Sequence, residues 1–364
     1  MTGKERLMTA LSLGEPDRVP VWELAFNEES IIKLGRLFTD DVPTLKLVHQ
    51  MTLDEKLKLL DVMYMITREL ELDGLTSIYL FDRETVDDDH IKDRWGRIYY
   101  VDREGDAIPV KGPISIPGDL HNLNIVHPSE TEFLMLMVSI EKLGKDIAHV
   151  FYMTGPFRDS WALLGSIEKL LYCYKKKPDF VKDLARIATD YILEVVDRAA
   201  ALGADVIALS SDLAFNQSTF MSPAQYEEFI LPYHKEITAF IRQKGMKTIK
   251  HSDGNMWPIM DYMVEAGFDG LHPIQPQCMD IAEVKAKYGK KLCLLGNIDC
   301  EHLLPFGSEE EVEKAVKETV AVAAPGGGYI ISSSNTIHPG CKAENYFAMV
   351  KAARKYGKYP IQIS

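Results

Sequence analysis

The stretch Thr248-Ile249-Lys250-His251-Ser252-Asp253-Gly254-Asn255 has the pattern of a β-strand end, and a helical pattern follows it. Residues two apart on an extended strand point to the same side, so the His251 imidazole and the Asp253 carboxylate face one way. Gly254 then allows the backbone to turn. Both side chains are good zinc ligands. The alternative is a His–Asp hydrogen bond that braces the strand end, and the fragment taken alone favours this second interpretation.

The same strand-then-helix unit recurs along the chain. Eight such strands begin near Val19, Leu75, His149, Asp205, Thr248, Asp269, Leu292 and Tyr329. Their largely apolar character is typical of parallel strands buried on both faces. Eight units predict an α/β fold, a distorted (β/α)8 TIM barrel, in one domain over residues 1–364. An open doubly wound sheet is the alternative, but no glycine-rich dinucleotide fingerprint follows the first strand.

Two segments lie outside this alternation. Arg6 to Leu13 has helical spacing and predicts a helical extension before the first strand. Residues 83–127 are first polar, then aromatic, then rich in proline and glycine, and they predict an insertion after the second strand with a small hairpin of its own. The run Asp87-Asp88-Asp89 within it favours a solvated loop.

Bulk composition excludes several classes of protein. The 364 residues carry 41 Lys and Arg against 54 Asp and Glu, a net charge of 41 − 54 = −13, without a basic cluster. This balance argues against nucleic-acid and anionic-membrane partners. No apolar run is long enough for a membrane span, and the start does not resemble a signal peptide. The five cysteines show no CxxC spacing, which predicts reduced thiols and a cytoplasmic protein.

Polar residues concentrate where the predicted strands end. In a barrel of parallel strands the active site is built at these carboxyl ends, so converging acids and histidines favour an enzyme over a binding scaffold. The candidates for catalysis are Asp82, Asp212, His251 and Asp253. The polar candidates for substrate binding are Glu23, His272, Asn297 and Asn335. Trp22, Phe157 and Phe215 suit an apolar substrate wall, although ordinary packing is the alternative for each.

Several stretches, taken in order, resemble the uroporphyrinogen decarboxylase family. They are Glu5-Arg6-Leu7 through Pro16-Asp17-Arg18-Val19-Pro20-Val21-Trp22, Thr154-Gly155-Pro156-Phe157, Met221-Ser222-Pro223, the stretch from His251 to Asn255, and Asn335 through Pro339-Gly340-Cys341 to Glu344-Asn345. The resemblance therefore covers nearly the whole chain. It implies a distorted (β/α)8 barrel, and either a haem-pathway decarboxylase or a cobalamin-dependent methyltransferase.

The segment after the first strand separates these two branches. The decarboxylases of the family carry an arginine-rich segment there, which binds the carboxylates of the porphyrinogen. Residues 22–29 of this chain contain three glutamates and no arginine. Bidentate recognition of carboxylates requires arginine, so the resemblance favours the methyltransferase branch.

The resemblance also implies a metal site. Thiol-directed methyltransferases of the family hold zinc with His-x-Cys on the fifth strand and a distant cysteine after the eighth. His251 matches the first ligand, Asp253 stands in the place of the middle cysteine, and Cys341 lies close to the place of the last. A carboxylate in place of a thiolate leaves zinc harder and more Lewis acidic, which suits an ether or phenolic oxygen.

These observations give one leading functional hypothesis. A methyl group passes from a small methylated substrate, such as a phenyl methyl ether, to a corrinoid on a separate protein, as in an O-demethylase. The chain lacks the usual cobalamin-binding motif Asp-x-His-x-x-Gly, so the corrinoid must come from a partner. A metal-free decarboxylase of the same fold and a catalytically silent ligand-binding barrel are the alternatives. The sequence leaves the oligomeric state open, with a homodimer as one option.

Overall fold

The protein is described by a computed structural model that covers residues 1–79, 83–102, 105 and 107–362. Within these residues the strands form two sheets. In chain order the strands are β1 (Gly74–Ile78), β2 (Arg83–Thr85), β3 (His90–Asp93), β4 (Ile98–Val101), β5 (Ala107–Lys111), β6 (Ala148–Thr154), β7 (Val206–Ser210), β8 (Lys247–His251), β9 (Gly270–His272), β10 (Cys293–Leu295) and β11 (Tyr329–Ile330).

The main sheet is parallel, curled and seven-stranded, in the order β1-β6-β7-β8-β9-β10-β11. The strand that carries His251, β8, lies between β7 and β9, away from both edges. The register aligns the last residues of four neighbouring strands, which are Thr154, Ser210, His251 and His272. These four polar residues therefore lie at the same height along the strands. We call this side of the sheet, where the carboxyl-terminal ends of the strands lie, the carboxyl edge.

The first predicted strand, residues 19–24, contributes isolated contacts rather than a ladder. Val21 forms a parallel bridge with Ile331. The amide of Trp22 donates to the Ile331 carbonyl at 3.1 Å, and the amide of Asp73 donates to the Val21 carbonyl at 2.9 Å. The segment thus touches the chain beside β11 and beside β1, the two edge strands. Its Pro20 lacks an N–H, which shortens the hydrogen-bonded pairing that it can make.

Helices alternate with the parallel strands. In chain order the α-helices are α1 (Gly3–Leu11), α2 (Glu28–Gly35), α3 (Leu53–Glu69), α4 (Leu134–Leu143), α5 (Pro156–Leu164), α6 (Ile167–Lys176), α7 (Pro178–Leu202), α8 (Pro223–Phe229), α9 (Leu231–Gln243), α10 (Met260–Ala266), α11 (Ile281–Tyr288), α12 (Leu303–Phe306), α13 (Glu309–Ala323) and α14 (Ala343–Tyr356). Short 3-10 helices span Val48–Gln50, Pro117–Asn122, Glu130–Phe133 and Trp257–Ile259. Among the described residues, no helix is both long and apolar enough to cross a bilayer.

One face of the main sheet packs against the N-terminal helix. Strand residues spaced two apart, such as Val206 and Ala208 on β7 and Ile249 on β8, form one buried cluster with Leu7 and Leu11 of α1. Because Ile249 and His251 are also two apart, the imidazole stands on the same face of β8 as this cluster. The apolar cluster therefore packs directly beneath His251, on the amino-terminal side of the carboxyl edge.

The segment after β1 forms a second, smaller sheet. Where the sequence predicts a small hairpin, four antiparallel strands pair in the order β2-β3-β4-β5. A buried ion pair between Arg97 and Asp159, at 3.0 Å, joins this sheet to α5. Arg158 also donates to the carbonyl of Ala107 on β5 at 2.9 Å. Since α5 follows β6, the small sheet is attached to the carboxyl edge of the main sheet.

Candidate active site

The centre of the carboxyl edge is a histidine between two aspartates. Asp212, His251 and Asp253 each offer a ligand atom, and these three atoms lie within 4.8 Å of one another. Nε2 of His251 is 3.7 Å from Oδ1 of Asp212. The Asp212 side chain is 45% exposed, whereas that of His251 is only 6% exposed. The group is thus anchored in the protein and open on the Asp212 side.

Neighbouring strands explain how Asp212 reaches this group. It follows the end of β7, which is paired with β8, so the loops after these strands start side by side. The amide of Asp253 donates to Oδ1 of Asp212 at 3.2 Å. The amide of Leu213 donates to the hydroxyl of Ser252 at 2.9 Å. The two loops are therefore joined through both backbone and side chain, which fixes the spacing of the two carboxylates.

Asp253 is incompletely satisfied. Oδ2 accepts a hydrogen bond from the side-chain amide of Asn335 at 2.7 Å. Oδ1 is buried and has no hydrogen-bond partner among the residues that the structure describes. Burial, together with the negative charges of Asp212 and Glu301, raises the pKa of Asp253 well above its ordinary value. A buried carboxylate with an unpaired oxygen beside a second carboxylate is the environment that a bound cation stabilises.

His251 is held neutral. Burial, and then the nearby Lys250 charge, lower its pKa to about 3. A neutral imidazole has one nitrogen with a free lone pair, which is the form that binds a metal. The donor set of one imidazole and two carboxylates, together with the unpaired Asp253 oxygen, therefore fits a divalent cation such as zinc.

Lys250 is the polar residue that the sequence reasoning missed. Its side chain is completely buried, and Nζ donates to the carbonyls of Ser211 at 2.7 Å and His251 at 2.6 Å. Burial lowers its pKa to about 7. These bonds tie the residue before Asp212 to the strand end at His251. The available signal was a lysine in the middle of a predicted strand, between Ile249 and His251.

Gly254 allows the loop after β8 to pack closely against the loop after β7. Its φ is +87°, a region that favours glycine. A Cβ at this position would stand 2.7 Å from the Ala214 carbonyl carbon and from the Phe215 amide nitrogen. The amide of Asn255 completes the contact by donating to the Phe215 carbonyl at 2.9 Å. The Asp253 side chain is therefore presented on a tightly held turn.

Two other predicted polar residues directly contact the central group. Nδ1 of His272 lies 2.8 Å from Nδ1 of His251, and Asn335 binds Asp253 as described above. The His272 ring is fully buried, and its Nε2 makes no hydrogen bond of normal geometry. Burial and then His251 lower the pKa of His272 well below its ordinary value, while the backbone of Ser333 opposes this effect.

Three predicted site residues make their contacts elsewhere. Both carboxyl oxygens of Glu23 accept hydrogen bonds from Ser333, and burial raises the Glu23 pKa to about 8. Asn297 donates to the Ile274 carbonyl at 2.9 Å. Cys341 is buried, with Sγ 3.8 Å from the Cys300 carbonyl oxygen, and burial raises its pKa to about 12. Within the described part of the chain, the group of side chains that could hold a metal ion contains Asp212 and does not include Cys341.

The predicted aromatic wall divides into a buried and an exposed part. Trp22 is fully buried, with its ring edge-on to His272 at 5.5 Å between centroids. Phe157 is also fully buried and stacks on Phe220 at 6.3 Å, and Phe220 in turn contacts Phe215 at 5.6 Å. Phe215 itself is 43% exposed. The remaining predicted catalytic residue, Asp82, lies outside the described residues.

Comparison with known proteins gives the family. The sequence profile of the family described as Uroporphyrinogen decarboxylase (URO-D) matches residues 97–356, well over half of the chain. The chain belongs to the uroporphyrinogen decarboxylase family. This confirms the resemblance seen in the sequence.

Relatives within the uroporphyrinogen decarboxylase family are enzymes of two kinds. The methylcobamide:CoM methyltransferase MtaA of Methanosarcina barkeri is 27% identical over 242 residues, which cover 66% of this chain and 67% of that protein. The uroporphyrinogen decarboxylase of Psychromonas ingrahamii is 24% identical over 276 residues, which cover 71% of this chain and 73% of that protein. Membership of the family therefore leaves both a methyltransferase and a decarboxylase as candidate activities.

A solved structure supports the fold. A methyltransferase from Methanosarcina mazei superposes with a TM-score of 0.75 and covers 98% of this chain and 99% of its own, at 21% sequence identity. The match extends over the main sheet, the helices and the small sheet alike, because almost no part of either chain is left out. At this identity the likeness concerns the fold alone.

Proposed function

We propose that the protein is a corrinoid-dependent methyltransferase with a zinc ion bound by Asp212, His251 and Asp253. The observation that carries the proposal is the central group itself, in which a neutral imidazole and two carboxylates converge and one buried oxygen lacks a partner among the described residues. Asp212 replaces Cys341 in the proposed ligand set because its side chain stands beside His251. Three protein ligands leave a position for substrate, as in catalytic zinc sites.

The proposed substrate is a small molecule with an oxygen-bound methyl group, such as a phenyl methyl ether. Zinc at this site would act as a Lewis acid on the substrate oxygen. In the transfer, the C–O bond breaks and the oxygen keeps its electron pair. The electron pair for the new bond to the methyl carbon would come from the reduced corrinoid of a partner protein. The resulting phenolate takes a proton from solvent.

The residues of the chain have distinct tasks in this proposal. The amide of Asn335 orients Asp253, and the half-exposed ring of Phe215 offers an apolar contact to the substrate beside the open side of Asp212. Lys250 holds the strand ends that carry Asp212 and His251. Each of these groups positions a reactant or a ligand, which is the main contribution expected from a protein in group transfer.

The decarboxylase alternative is disfavoured by charge. Asp212 and Asp253 lie at the centre of the site, and residues 22–29 add three glutamates without an arginine. A substrate with many carboxylates would find no arginine in residues 22–29 to bind it and would be repelled by the exposed carboxylate of Asp212. Arg158, which follows the end of β6, already donates to the Ala107 carbonyl and stacks on the Trp161 ring. A small substrate without negative charge is the better electrostatic match.

The test combines metal analysis with a two-component assay. The purified chain should contain zinc in a one-to-one ratio, and it should demethylate a methoxybenzene only when a reduced corrinoid protein is added. Methylation of the corrinoid is followed by its change in absorbance. His251→Ala should remove zinc and activity together, whereas His127→Ala, at an exposed histidine, should change neither. A fully active preparation without stoichiometric metal would refute the zinc proposal.

A thiol substrate provides the second arm of this test. A relative from Methanosarcina mazei, 23% identical over 260 residues, is named methylated-thiol–coenzyme M methyltransferase. We expect methoxybenzene to react faster than its methylthio counterpart here, because Asp253 makes the site harder than a thiolate would. Asp253→Cys should retain zinc and shift the preference towards sulfur. Turnover of either substrate by the lone chain, without a corrinoid protein, would refute the need for a partner.

We also propose that residues 19–24 close the main sheet as an eighth strand. The described chain would then be one (β/α)8 barrel domain with residues 83–127 as an insertion. The hydrogen bonds of Val21 and Trp22 to both sheet edges support this closure. The amides of Trp22 and Ile331 should exchange with solvent as slowly as those of β8, and fast exchange at both would contradict it. The five free cysteines fit a cytoplasmic location for such an enzyme.

A further inference from the structure

We propose that His272 is a positioning residue that fixes which nitrogen of His251 faces the metal. The inference rests on the proposed metal site and assigns a role to a residue that binds no metal itself. The parallel pairing of β8 with β9 places the two histidines directly opposite each other. Their Nδ1 atoms lie 2.8 Å apart, and the ring centroids are 5.1 Å apart.

A single proton must occupy the space between these two nitrogens. Two neutral nitrogens at hydrogen-bond distance cannot both be acceptors, and two N–H groups would repel each other. Either His251 donates from Nδ1 to His272, or His272 donates from Nδ1 to His251. The choice fixes the tautomer of both rings, because each neutral imidazole carries one proton.

Only one of these arrangements allows the proposed metal site to form. Nε2 is the His251 nitrogen that lies beside Asp212, at 3.7 Å. For Nε2 to offer its lone pair, the proton of His251 must be on Nδ1 and must be donated to Nδ1 of His272. The proton of His272 is then on Nε2. In the opposite arrangement His251 carries a proton on Nε2, and this proton points to where the metal would bind, so that Nε2 cannot be a ligand.

His272 is well placed to act as a fixed acceptor. Its ring is fully buried, and the edge-on Trp22 ring lies 5.5 Å away. Its carbonyl accepts from the amide of Ser252, the residue between His251 and Asp253, at 3.1 Å. The end of β9 is thereby attached to the ligand-bearing turn. A ring that is held on several sides fixes the orientation of the imidazole bonded to it, as partners behind metal-binding histidines commonly do.

The central experiment replaces the acceptor and measures zinc affinity by competition with a chelator. His272→Leu removes the acceptor and should weaken zinc binding about 10- to 100-fold. His272→Asn keeps an acceptor oxygen near the former position of Nδ1 and should stay within about threefold of wild type, since it conserves the His251 hydrogen bond. The absorption spectrum of the cobalt-substituted protein should change in the leucine variant and be retained in the asparagine variant.

A matched control separates positioning from packing. His234 on α9 is also a fully buried histidine, with Nδ1 2.7 Å from the Tyr226 hydroxyl, and no described residue bonds its Nε2. His234→Leu should lower stability but leave zinc affinity and the cobalt spectrum unchanged. Zinc affinity that stays at the wild-type level in His272→Leu would overturn the inference while leaving the metal site in place.

A second measurement uses the wild-type protein, so it does not depend on the folding of a variant. Nitrogen-15 NMR of the zinc-loaded protein should show His251 protonated at Nδ1 and bound to zinc through Nε2, and His272 protonated at Nε2. Coordination of His251 through Nδ1 would overturn the inference. Wild-type protein that binds no zinc at all would instead refute the proposed metal site, and the inference with it.

Discussion

Two buried carboxylates at opposite ends of the main sheet have contrasting environments. Asp73, just before β1 at the amino end, accepts hydrogen bonds from Arg6 at 2.9 Å, from Arg18 at 2.7 and 3.0 Å, and from the Val21 amide at 2.8 Å. Asp253, just after β8 at the carboxyl end, has one hydrogen-bonded oxygen and one that has no partner in the described part of the chain. The hydrogen bonds of a fully paired carboxylate are explained by a structural role alone. An incompletely paired carboxylate next to a second acid instead indicates a site for a ligand.

The largest effect is expected at the paired carboxylate. Asp73→Asn leaves the guanidinium group of Arg18, which is mostly buried, without its counter-ion, and leaves Arg6 with Asp17 as its remaining acidic partner. Breaking a buried ion pair on one side costs about 3–5 kcal/mol of unfolding free energy. Urea denaturation measures this change. Asp17→Asn serves as the control, because Asp17 also pairs with Arg6 but is 46% exposed, and its loss should cost at most about 1 kcal/mol. Equal effects in the two variants would contradict the comparison.

The pH dependence of stability at Glu23 gives a second test of the comparison between paired and incompletely paired carboxylates. Like Asp73 it is buried, but among the described residues its carboxyl group accepts hydrogen bonds only from Ser333, and burial raises its pKa to about 8. A carboxyl group with a raised folded-state pKa makes the protein bind more protons when folded. Its contribution to stability is therefore retained at low pH and is lost as the pH rises from about 4.5 to about 8.

We expect Glu23→Gln to remove this pH dependence. The difference in unfolding free energy between variant and wild type should grow with pH by up to about 1.4 kcal/mol per unit across that window. Denaturation curves at pH 5, 6, 7 and 8 measure it, and all other titrating groups cancel in the difference. A difference that stays constant with pH would show that Glu23 is ionised in the folded protein.

Substitution of Asp253 by asparagine should change the unfolding free energy in the direction opposite to the same substitution at Asp73. Without metal, Asp253→Asn should stabilise the protein at pH 7 by on the order of 1 kcal/mol, because folding of the wild type forces Asp253 either to take up a proton or to bury a negative charge next to Asp212. The raised pKa of Asp253 means that this gain disappears as the pH falls towards 4.

Zinc should reverse this order of stability. At a zinc concentration of 100 times its dissociation constant, the wild type gains about 2.7 kcal/mol, and a variant that binds weakly gains less. Thermal unfolding with and without zinc measures both effects. A metal-free Asp253→Asn protein that is less stable than wild type at pH 7 would show that the carboxylate is structural, like Asp73.

Local patterns predicted much of this arrangement. The short apolar runs and the 3.6-residue periodicity between them are properties of adjacent residues, and they correctly predicted β1 and β6 to β11. The common direction of His251 and Asp253 follows from their spacing on one strand. Asp212 could also have been placed beside them, because β7 and β8 are consecutive and consecutive parallel strands often pair.

Other parts depend on contacts between distant residues. Whether Cys341 lies beside His251 is decided by how the loop after β11 extends over the sheet, which no local spacing encodes. The small sheet was underestimated because its strands have only three to five residues and several of these are charged. Residues 19–24 have strand character, but Pro20 and the contacts at two sheet edges make their pairing irregular.

The smallest effect is expected at Phe215, which tests whether the carboxyl edge binds an apolar ligand. Phe215 is 43% exposed and contacts Phe220, which stacks on the fully buried Phe157. Phe215→Ala should change stability by about 0.5 kcal/mol, since a half-exposed ring contributes little to folding. It should raise KM for the methylated substrate several-fold with little change in kcat, which is the mark of lost ground-state binding.

Two further variants serve as controls for the measurements on Phe215→Ala. Tyr172→Ala, at a 61% exposed ring on α6, should leave both stability and KM unchanged. Phe157→Ala should cost about 3–5 kcal/mol of stability, because it removes a fully buried ring from the core. An unchanged KM in Phe215→Ala would place the substrate elsewhere on the carboxyl edge. A large loss of stability would instead show that Phe215 belongs with Phe157, so that the carboxyl edge is packed for folding rather than exposed for a ligand.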